Sequence, residues 1–391
     1  VIPFNRASFE GNELEYLAEA VSTGYTAGNG PFTKRAEAML TQLHGGSPTL
    51  LTTSCTHALE IAARLLDLQP GDEVIVPSYT FVSTASAFMW NGARPVFADV
   101  RADTLNIDPD TVEALISDRT KAICIVHYAG VGAEPDRFAD MAARRGLTLI
   151  EDNAHGLGAT YKGQPLGTFG AMSTLSFHET KNVTCGEGGA LVINDPELVE
   201  RAEILREKGT DRSRFLRGQV DKYTWVDLGS SWALSDLLAG ILVGQLERFD
   251  GIQQARMTIW DTYHRTLRDW ALSNDVLLPM VPGDATHAGH MYQLRFADKA
   301  MRDRFIMHMQ ERDVLAVFHY QSLHDSPIGH SLGEDQRFCP NSELASDTLV
   351  RLPLFVSLSR QEQQHILNSI TDFSAVDRGL LASEMSTSDP K

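Results

Sequence analysis

A lysine, an aspartate and a set of hydroxyl, imidazole and aromatic side chains stand at the ends of short apolar runs in this chain. Lys181 follows Ser176 by five residues and Asp152 by 29, and the glycine-rich stretch Gly186-Glu187-Gly188-Gly189 comes soon after it. A lysine in that setting is either a surface cation or an amine that attacks a carbonyl and forms a Schiff base once its pKa is depressed. Asp152 closes the run Leu147-Thr148-Leu149-Ile150-Glu151. It either caps the following turn or holds a protonated ring nitrogen, which keeps a heteroaromatic ring an electron sink. Thr56 and His57 open a helical pattern directly after a strand-like run, so their amides and the helix dipole offer a phosphate site. Ser176 can add a hydroxyl there. Phe81 begins another helical pattern and is either plain core or a face on which a flat ring stacks.

These residues need a scaffold, and the patterning supplies one. Strand-like runs fall at 49–53, 73–77, 95–99, 121–126, 147–151, 172–177 and 189–193. Amphipathic stretches at 56–67, 81–91, 109–117 and 135–145 lie between them. Alternation of this kind predicts βαβ units and an α/β fold with a mostly parallel seven-stranded sheet covered on both faces. The last two runs are joined by a glycine-rich link, so one of them is expected antiparallel. Ligands of such sheets bind at the carboxyl ends of the strands, where the residues above sit. From Ser235, a candidate N-cap, to Leu272 the pattern is helical throughout. Strands are expected at 290–296, 314–319 and 350–355, and a last helix at 360–373. The expected organisation is a large domain over 1–250 with an N-terminal arm, a smaller α+β domain over 251–382, and a disordered polar tail over 383–391.

Composition narrows the function classes. The chain has 391 residues, 43% of them apolar, and a formal net charge of −17. That balance argues against bulk nucleic-acid binding, which needs a basic footprint, though a local basic pocket for an anionic small molecule is compatible with it. The four cysteines, Cys55, Cys124, Cys185 and Cys339, are far apart and form no zinc-ligand spacing. No metal site is therefore expected, and a reducing cytoplasm is the simplest compartment. No apolar run is long enough to span a bilayer, and no signal peptide is visible at the N-terminus. No GxGxxG follows the first run, which disfavours a nicotinamide enzyme.

Taken together, Gly71-Asp-Glu-Val-Ile-Val-Pro-Ser-Tyr-Thr-Phe81, Glu151-Asp-Asn-Ala-His155, Ser176-Phe-His-Glu-Thr-Lys-Asn182 and Gly186-Glu-Gly-Gly189 resemble the DegT/DnrJ/EryC1/StrS family over nearly the whole chain. These are pyridoxal phosphate (PLP)-dependent nucleotide-sugar aminotransferases of PLP fold type I, the aspartate aminotransferase-like fold. The resemblance implies that Lys181 bonds the cofactor and shuttles the proton. It implies that Asp152 pairs with the pyridine nitrogen, His155 lies by the ring hydroxyl, Phe81 stacks on the ring, and Thr56, His57 and Ser176 hold the phosphate. Many relatives carry Gly-x-Asn-Tyr-Arg, whose Asn reaches the phosphate from the neighbouring subunit. Here the segment reads Gly229-Ser230-Ser231-Trp232-Ala233, with Ser231 in the Asn position. Family members that perform dehydration have His where Lys181 stands, so lysine favours transamination.

Phe177-His-Glu-Thr-Lys-Asn182 and Arg206–Trp225 resemble the branch that aminates dTDP-4-keto-6-deoxy-D-glucose at C4 to a dTDP-4-amino-4,6-dideoxyhexose, with L-glutamate as the implied donor. A 3-amino or UDP-linked product is the alternative. Residues 206–222 carry six cations against three acids, a net of +3. They are either a solvated loop or a contact for the substrate diphosphate, with Arg212 and Arg217 as candidates. His319, Tyr320 and His324 are candidates at the substrate mouth, as is Tyr25 in the N-terminal loop. The resemblance also implies a homodimer with active sites at its interface, and neither a nucleic-acid nor a membrane partner is expected.

Overall fold

Apolar runs separated by amphipathic helices fold as expected in the computed structural model, which describes residues 1–333 and 338–374. The strands of the first half are β1 (Thr49–Thr52), β2 (Glu73–Pro77), β3 (Arg94–Ala98), β4 (Thr120–Val126), β5 (Thr148–Asp152), β6 (Thr160–Tyr161), β7 (Gln164–Pro165), β8 (Met172–Ser176) and β9 (Gly189–Ile193). β6 and β7 form a small separate hairpin, and the other seven form one sheet in the order β1-β9-β8-β5-β4-β2-β3. Only β9 runs against its neighbours. The loop from β8 to β9 carries Lys181 and has no helix to make a parallel crossover.

Alternate side chains of the central strands bury on opposite faces. Cys124 and Ile150 pack with Leu59, Phe88 and Leu191, while Ile123, Ile125 and Leu149 pack with Val112 and Phe138. A further cluster of Leu51, Leu175, Val192, Leu242 and Val243 seats the helix Asp236–Glu247.

The helical stretch after Ser235 is two helices, Asp236–Glu247 and Phe249–Ser273, broken at Arg248. Ser235 caps the first, accepting from the Leu238 amide. The first helix is buried almost all round, whereas the second buries one stripe. The break lets the chain leave one core and enter another, and Arg248 pairs there with Glu10 and Glu13.

The second core forms around the antiparallel sheet of β10 (Tyr292–Arg295), β11 (Val317–Phe318) and β12 (Leu349–Leu352), in the order β10-β12-β11. Tyr263, Leu267, Phe305, Leu352, Phe355 and Ile366 fill it. The two cores exchange segments. Ile2 enters the second through a parallel bridge to Val314, while Leu323 and Cys339 return to the first. The helix Arg360–Thr371 starts with a capping box between Ser359 and Glu362. The expected tail 383–391 and the end of the 251–382 span lie outside the described residues. No helix among the described residues is long and apolar enough to cross a membrane, and the four cysteines are free thiols.

Candidate active site

A cavity of about 810 Å³ opens at the carboxyl ends of β5 and β8 and is closed from the other side by β11 and β12. It receives Asp152 from the tip of β5, Ser176 from the tip of β8, Lys181 from the following loop and the start of the helix Cys55–Leu65. Residues up to 126 positions apart are thus brought together because every strand that matters ends on the same side of the sheet.

Burial pulls the Lys181 ammonium from its usual range near 10.5 down to about 8, with Asp152 and Cys55 opposing. An amine of that pKa is a usable nucleophile and proton carrier near neutrality. Asp152 is fixed by the Thr84 hydroxyl (2.8 Å) and the Ala154 amide (3.2 Å). Burial pushes its carboxyl up, against those hydrogen bonds and the Lys181 charge. A cation placed beside it would therefore be welcome.

His155 stacks on His290 with ring centroids 4.3 Å apart. His290 Nδ1 lies 2.9 Å from Asn182 Oδ1, while the Asn182 amide nitrogen donates to Ala288 and Gln253. Nδ1 of His290 is therefore the protonated nitrogen. Burial holds both rings well below the ordinary imidazole range, so both are neutral. His155 Nδ1 is buried and has no protein partner.

Ser54 caps the helix Cys55–Leu65 by accepting from the His57 amide; Cys55 and Thr56, whose amides have no partners within the helix, line the cavity. Thr56 Oγ1 pairs with Ser83 Oγ at 2.7 Å, and Ser176 sits opposite. A side chain at Gly189 would place Cβ 2.3 Å from the Cys55 nitrogen, so only glycine lets β9 run this close to the helix start. The cradle is built for a small anion.

Lys181, Asp152, Thr56, His155, Ser176, Phe81, His319 and Tyr320 all line this cavity. Phe81 remains 54% exposed, its ring 6.2 Å from that of Tyr320. His319 Nδ1 pairs with the Tyr128 hydroxyl at 2.7 Å. Tyr320 has φ +34°, a left-handed conformation that is unusual for a bulky residue.

Other candidates lie elsewhere. The His57 amide is taken by Ser54, and its ring turns to Thr53 and Trp232, outside the lining. His324 is buried between Ser78 (2.5 Å) and Glu343 (3.0 Å), because a 3₁₀ turn over Leu323–Asp325 rotates it away from the cavity. Tyr25, Arg212, Arg217 and Ser231 are exposed and do not line it. Of the cations at 206–222, Arg206 pairs with Glu37, Lys208 with Glu207, Arg214 with Glu200 and Arg217 with Glu203. The +3 stretch is thus mostly neutralised within its own chain. Sequence reasoning missed Thr84, Phe4, Arg256, His290 and Arg351. Of these, Arg351 had a readable signal, a charge inside the apolar run Leu349-Val350-Arg351-Leu352-Pro353-Leu354.

The family model described as DegT/DnrJ/EryC1/StrS aminotransferase matches residues 8–371. Among solved structures, the aminotransferase TlmJ from Streptoalloteichus hindustanus is 29% identical, with a TM-score of 0.87 over 98% of this chain and 100% of that one. Spr1654 from Streptococcus pneumoniae in its PLP form is 28% identical, with a TM-score of 0.87 over 95% of this chain and 97% of that one. DesV from S. venezuelae is 29% identical, with a TM-score of 0.86 over 95% and 98%. The residues present fit PLP, the cofactor of this family. A phosphate cradle, a half-buried lysine of lowered pKa, a carboxylate short of a cation and an orphaned imidazole nitrogen line one cavity.

Proposed function

The chain belongs to the DegT/DnrJ/EryC1/StrS aminotransferase family, a family of PLP-dependent sugar aminotransferases, and from that membership we propose that it carries an amino group from L-glutamate to C4 of a dTDP-linked 4-keto-6-deoxyhexose. The observation that carries the aminotransfer is Lys181, half-buried in the cavity wall with its pKa brought down to about 8. Bound PLP supplies the electron sink. The chain's own residues do the rest. Asp152 would hold the ring nitrogen protonated, the helix start at Cys55 and Thr56 with Ser176 would bind the phosphate, and His155 would meet the ring hydroxyl. Lys181 Nζ would take the proton from the donor's Cα in the first half and deliver one to the sugar carbon in the second. Phe81, His319 and Tyr320 give the cavity an aromatic wall.

The choice of a C4 ketone and a dTDP carrier rests on the segments 177–182 and 206–225. A homodimer belongs to the same reading. Tyr25, Arg212, Arg217 and Ser231 stand on the outside of one chain, and Leu216, Trp225 and Leu228 are exposed in the same stretch as the last three; in this reading a second copy receives them at its site. The free thiols suit the cytoplasm as its place of work.

The test uses purified protein reconstituted with PLP. Its visible band should bleach with L-glutamate, and the amine form should then aminate a dTDP-4-keto-6-deoxyhexose, seen by mass and NMR. A band that responds to no amino donor refutes the aminotransfer. Product only from 3-keto or UDP-linked sugars refutes the narrower substrate.

A further inference from the structure

The loop that presents Lys181 runs on into Asn182, a buried amide whose polar atoms all turn to one neighbourhood. Its Nδ2 donates to Ala288 O (2.7 Å) and Gln253 Oε1 (2.9 Å), and its Oδ1 accepts from His290 Nδ1 (2.9 Å). The turn at 288–290 is gripped from its other sides as well. The Ala288 amide donates to Gly130 O (3.1 Å), and Arg256 donates from Nε to Gly289 O (3.1 Å) and from Nη2 to His290 O (2.6 Å). Gly130 has φ +77°, and a Cβ there would stand 2.7 Å from both Ala288 Cβ and His155 O, so glycine alone lets the turn close on the segment that carries His155.

This closure lays His290 on His155, with the ring planes 18° apart and the centroids 4.3 Å apart. The orientation of His155 depends on it. The His155 side chain makes no hydrogen bond among the described residues, and its Nδ1 is buried without a partner. Tyr128 and His319 are its other ring neighbours, at 6.0 and 6.2 Å and tilted by 66° and 33°, so His290 is the ring that sets its plane. A buried N–H without an acceptor is rarer than a buried lone pair without a donor, which leaves the His155 proton on Nε2. The charged groups felt at His290 are Lys181, Arg256 and Arg351, all cations. An amide at position 182, in place of a carboxylate, therefore accepts the Nδ1 proton without drawing a second one onto the ring.

We propose that Asn182 and His290 are positioning residues of the reaction, a clamp that joins the Lys181 loop to the His155 ring and fixes the amine and the imidazole relative to one another. The inference rests on the reading in which the cavity holds PLP with His155 at the ring hydroxyl, and it adds how two groups on separate loops are kept in register. The clamp is delivered by elements of the second core. Gln253 and Arg256 stand on the helix Phe249–Ser273, and His290 leads into β10. That core thus sets the geometry of a site whose other cofactor candidates stand at strand and helix ends of the first.

The experiment compares wild type, Asn182→Ala, His290→Ala, the double variant and His290→Asn, whose Nδ2 stands in for Nδ1 as the donor to Asn182. PLP is titrated into each apoprotein, and the pH midpoint of the visible band is then read from absorbance. A donor toward the ring oxygen competes with the lysine nitrogen's proton for that oxygen, so a displaced His155 should weaken PLP binding and move the midpoint up. Each single alanine variant should lose roughly 3- to 10-fold in PLP affinity and raise the midpoint by roughly half to one pH unit, the worth of one hydrogen bond. Two parts of one clamp are not additive, so the double variant should fall within about twofold of the worse single one, and His290→Asn should recover part of the loss. A merely structural role would lower the unfolding temperature and leave the midpoint in place. The inference is overturned if both single variants keep the midpoint within about 0.2 pH unit of wild type, or if their affinity losses multiply in the double variant. A wild type that shows no visible band with PLP refutes the cofactor reading and this inference with it; a normal wild-type band over unmoved variants refutes this inference alone.

Discussion

Replacing Glu151 by Gln should destabilise the fold without touching a single atom of the cavity lining. Glu151 and His127 are both fully buried, 2.8 Å apart. Glu151 Oε1 accepts from the amides of Phe169 (2.7 Å) and Gly170 (2.8 Å), and Oε2 accepts from the Gly167 amide (2.9 Å) as well as from His127 Nε2. His127 Nδ1 accepts from the Ala133 amide at 3.2 Å, so its proton is on Nε2 and all four neighbours of the carboxylate are donors. A glutamine offers one accepting oxygen. Its NH₂ must face two donors, whichever way it is flipped, and two buried N–H groups lose their acceptor. At about 1–3 kcal/mol for each unsatisfied buried group, the loss is roughly 2–6 kcal/mol.

Burial would raise the Glu151 carboxyl, but the hydrogen bonds from His127 and the Gly170 and Gly167 amides outweigh it and hold it low. A depressed folded-state pKa stabilises the protein above the unfolded carboxyl value, and that stabilisation is lost as pH falls through the folded value. The gap between wild type and Glu151→Gln should therefore be full at pH 7 and narrow below about 4.5. Urea denaturation at pH 7 and at pH 4 measures both. A difference below about 1 kcal/mol at pH 7, or a gap that widens on acidification, would refute the donor count.

Three further outcomes are expected. Capture of PLP by the apoprotein requires the neutral Lys181 amine, so its rate should climb with a midpoint near the lowered value of about 8 and level off above it. A rise centred near the free-lysine value would contradict the burial argument. Asp152→Asn should keep the fold and the Thr84 hydrogen bond, yet slow turnover by about 10²- to 10³-fold, as expected on losing one preorganised electrostatic contact; a rate within tenfold of wild type counts against its pairing with the ring nitrogen. His324→Ala should lower stability by about 1–3 kcal/mol through the buried Ser78 hydroxyl left without its partner, with the glutamate KM unchanged, and a shifted KM would return His324 to the substrate mouth.

The strand-end rule explains what sequence alone could reach. Asp152, Ser176, Lys181 and Thr56 come from contiguous strand–loop units, and the period-2 and period-3.6 patterns locate such units directly. Pieces that arrive from far away in the chain were not legible. Phe4 reaches the cavity because Ile2 joins a core formed by residues beyond 250. His290 is positioned by Asn182 and Arg256, neither of which reads as its neighbour. His324 shows the opposite error, since closeness in sequence to His319 suggested a shared cavity, and one 3₁₀ turn separates them. For the stretch 206–222, counting charges along the chain ignored acids brought alongside by the helix Val199–Arg206, where Glu200 and Glu203 neutralise Arg214 and Arg217.

That last point relocates the positive charge an anionic ligand needs. A chain of net charge −17 repels anions at long range, and screening confines that repulsion to roughly 10 Å at ordinary ionic strength. Inside the cavity the balance reverses. Lys181, Arg256 and Arg351 face Asp152 as the one buried carboxylate of the lining, and His155, His290 and His319 are held neutral. These cations are at least partly withdrawn from water and have no acid within ion-pair distance among the described residues, so an incoming carboxylate or phosphate gains more from them than from a surface lysine. Selectivity for anions is therefore a property of a few buried groups, and the acidic exterior neither supplies nor prevents it.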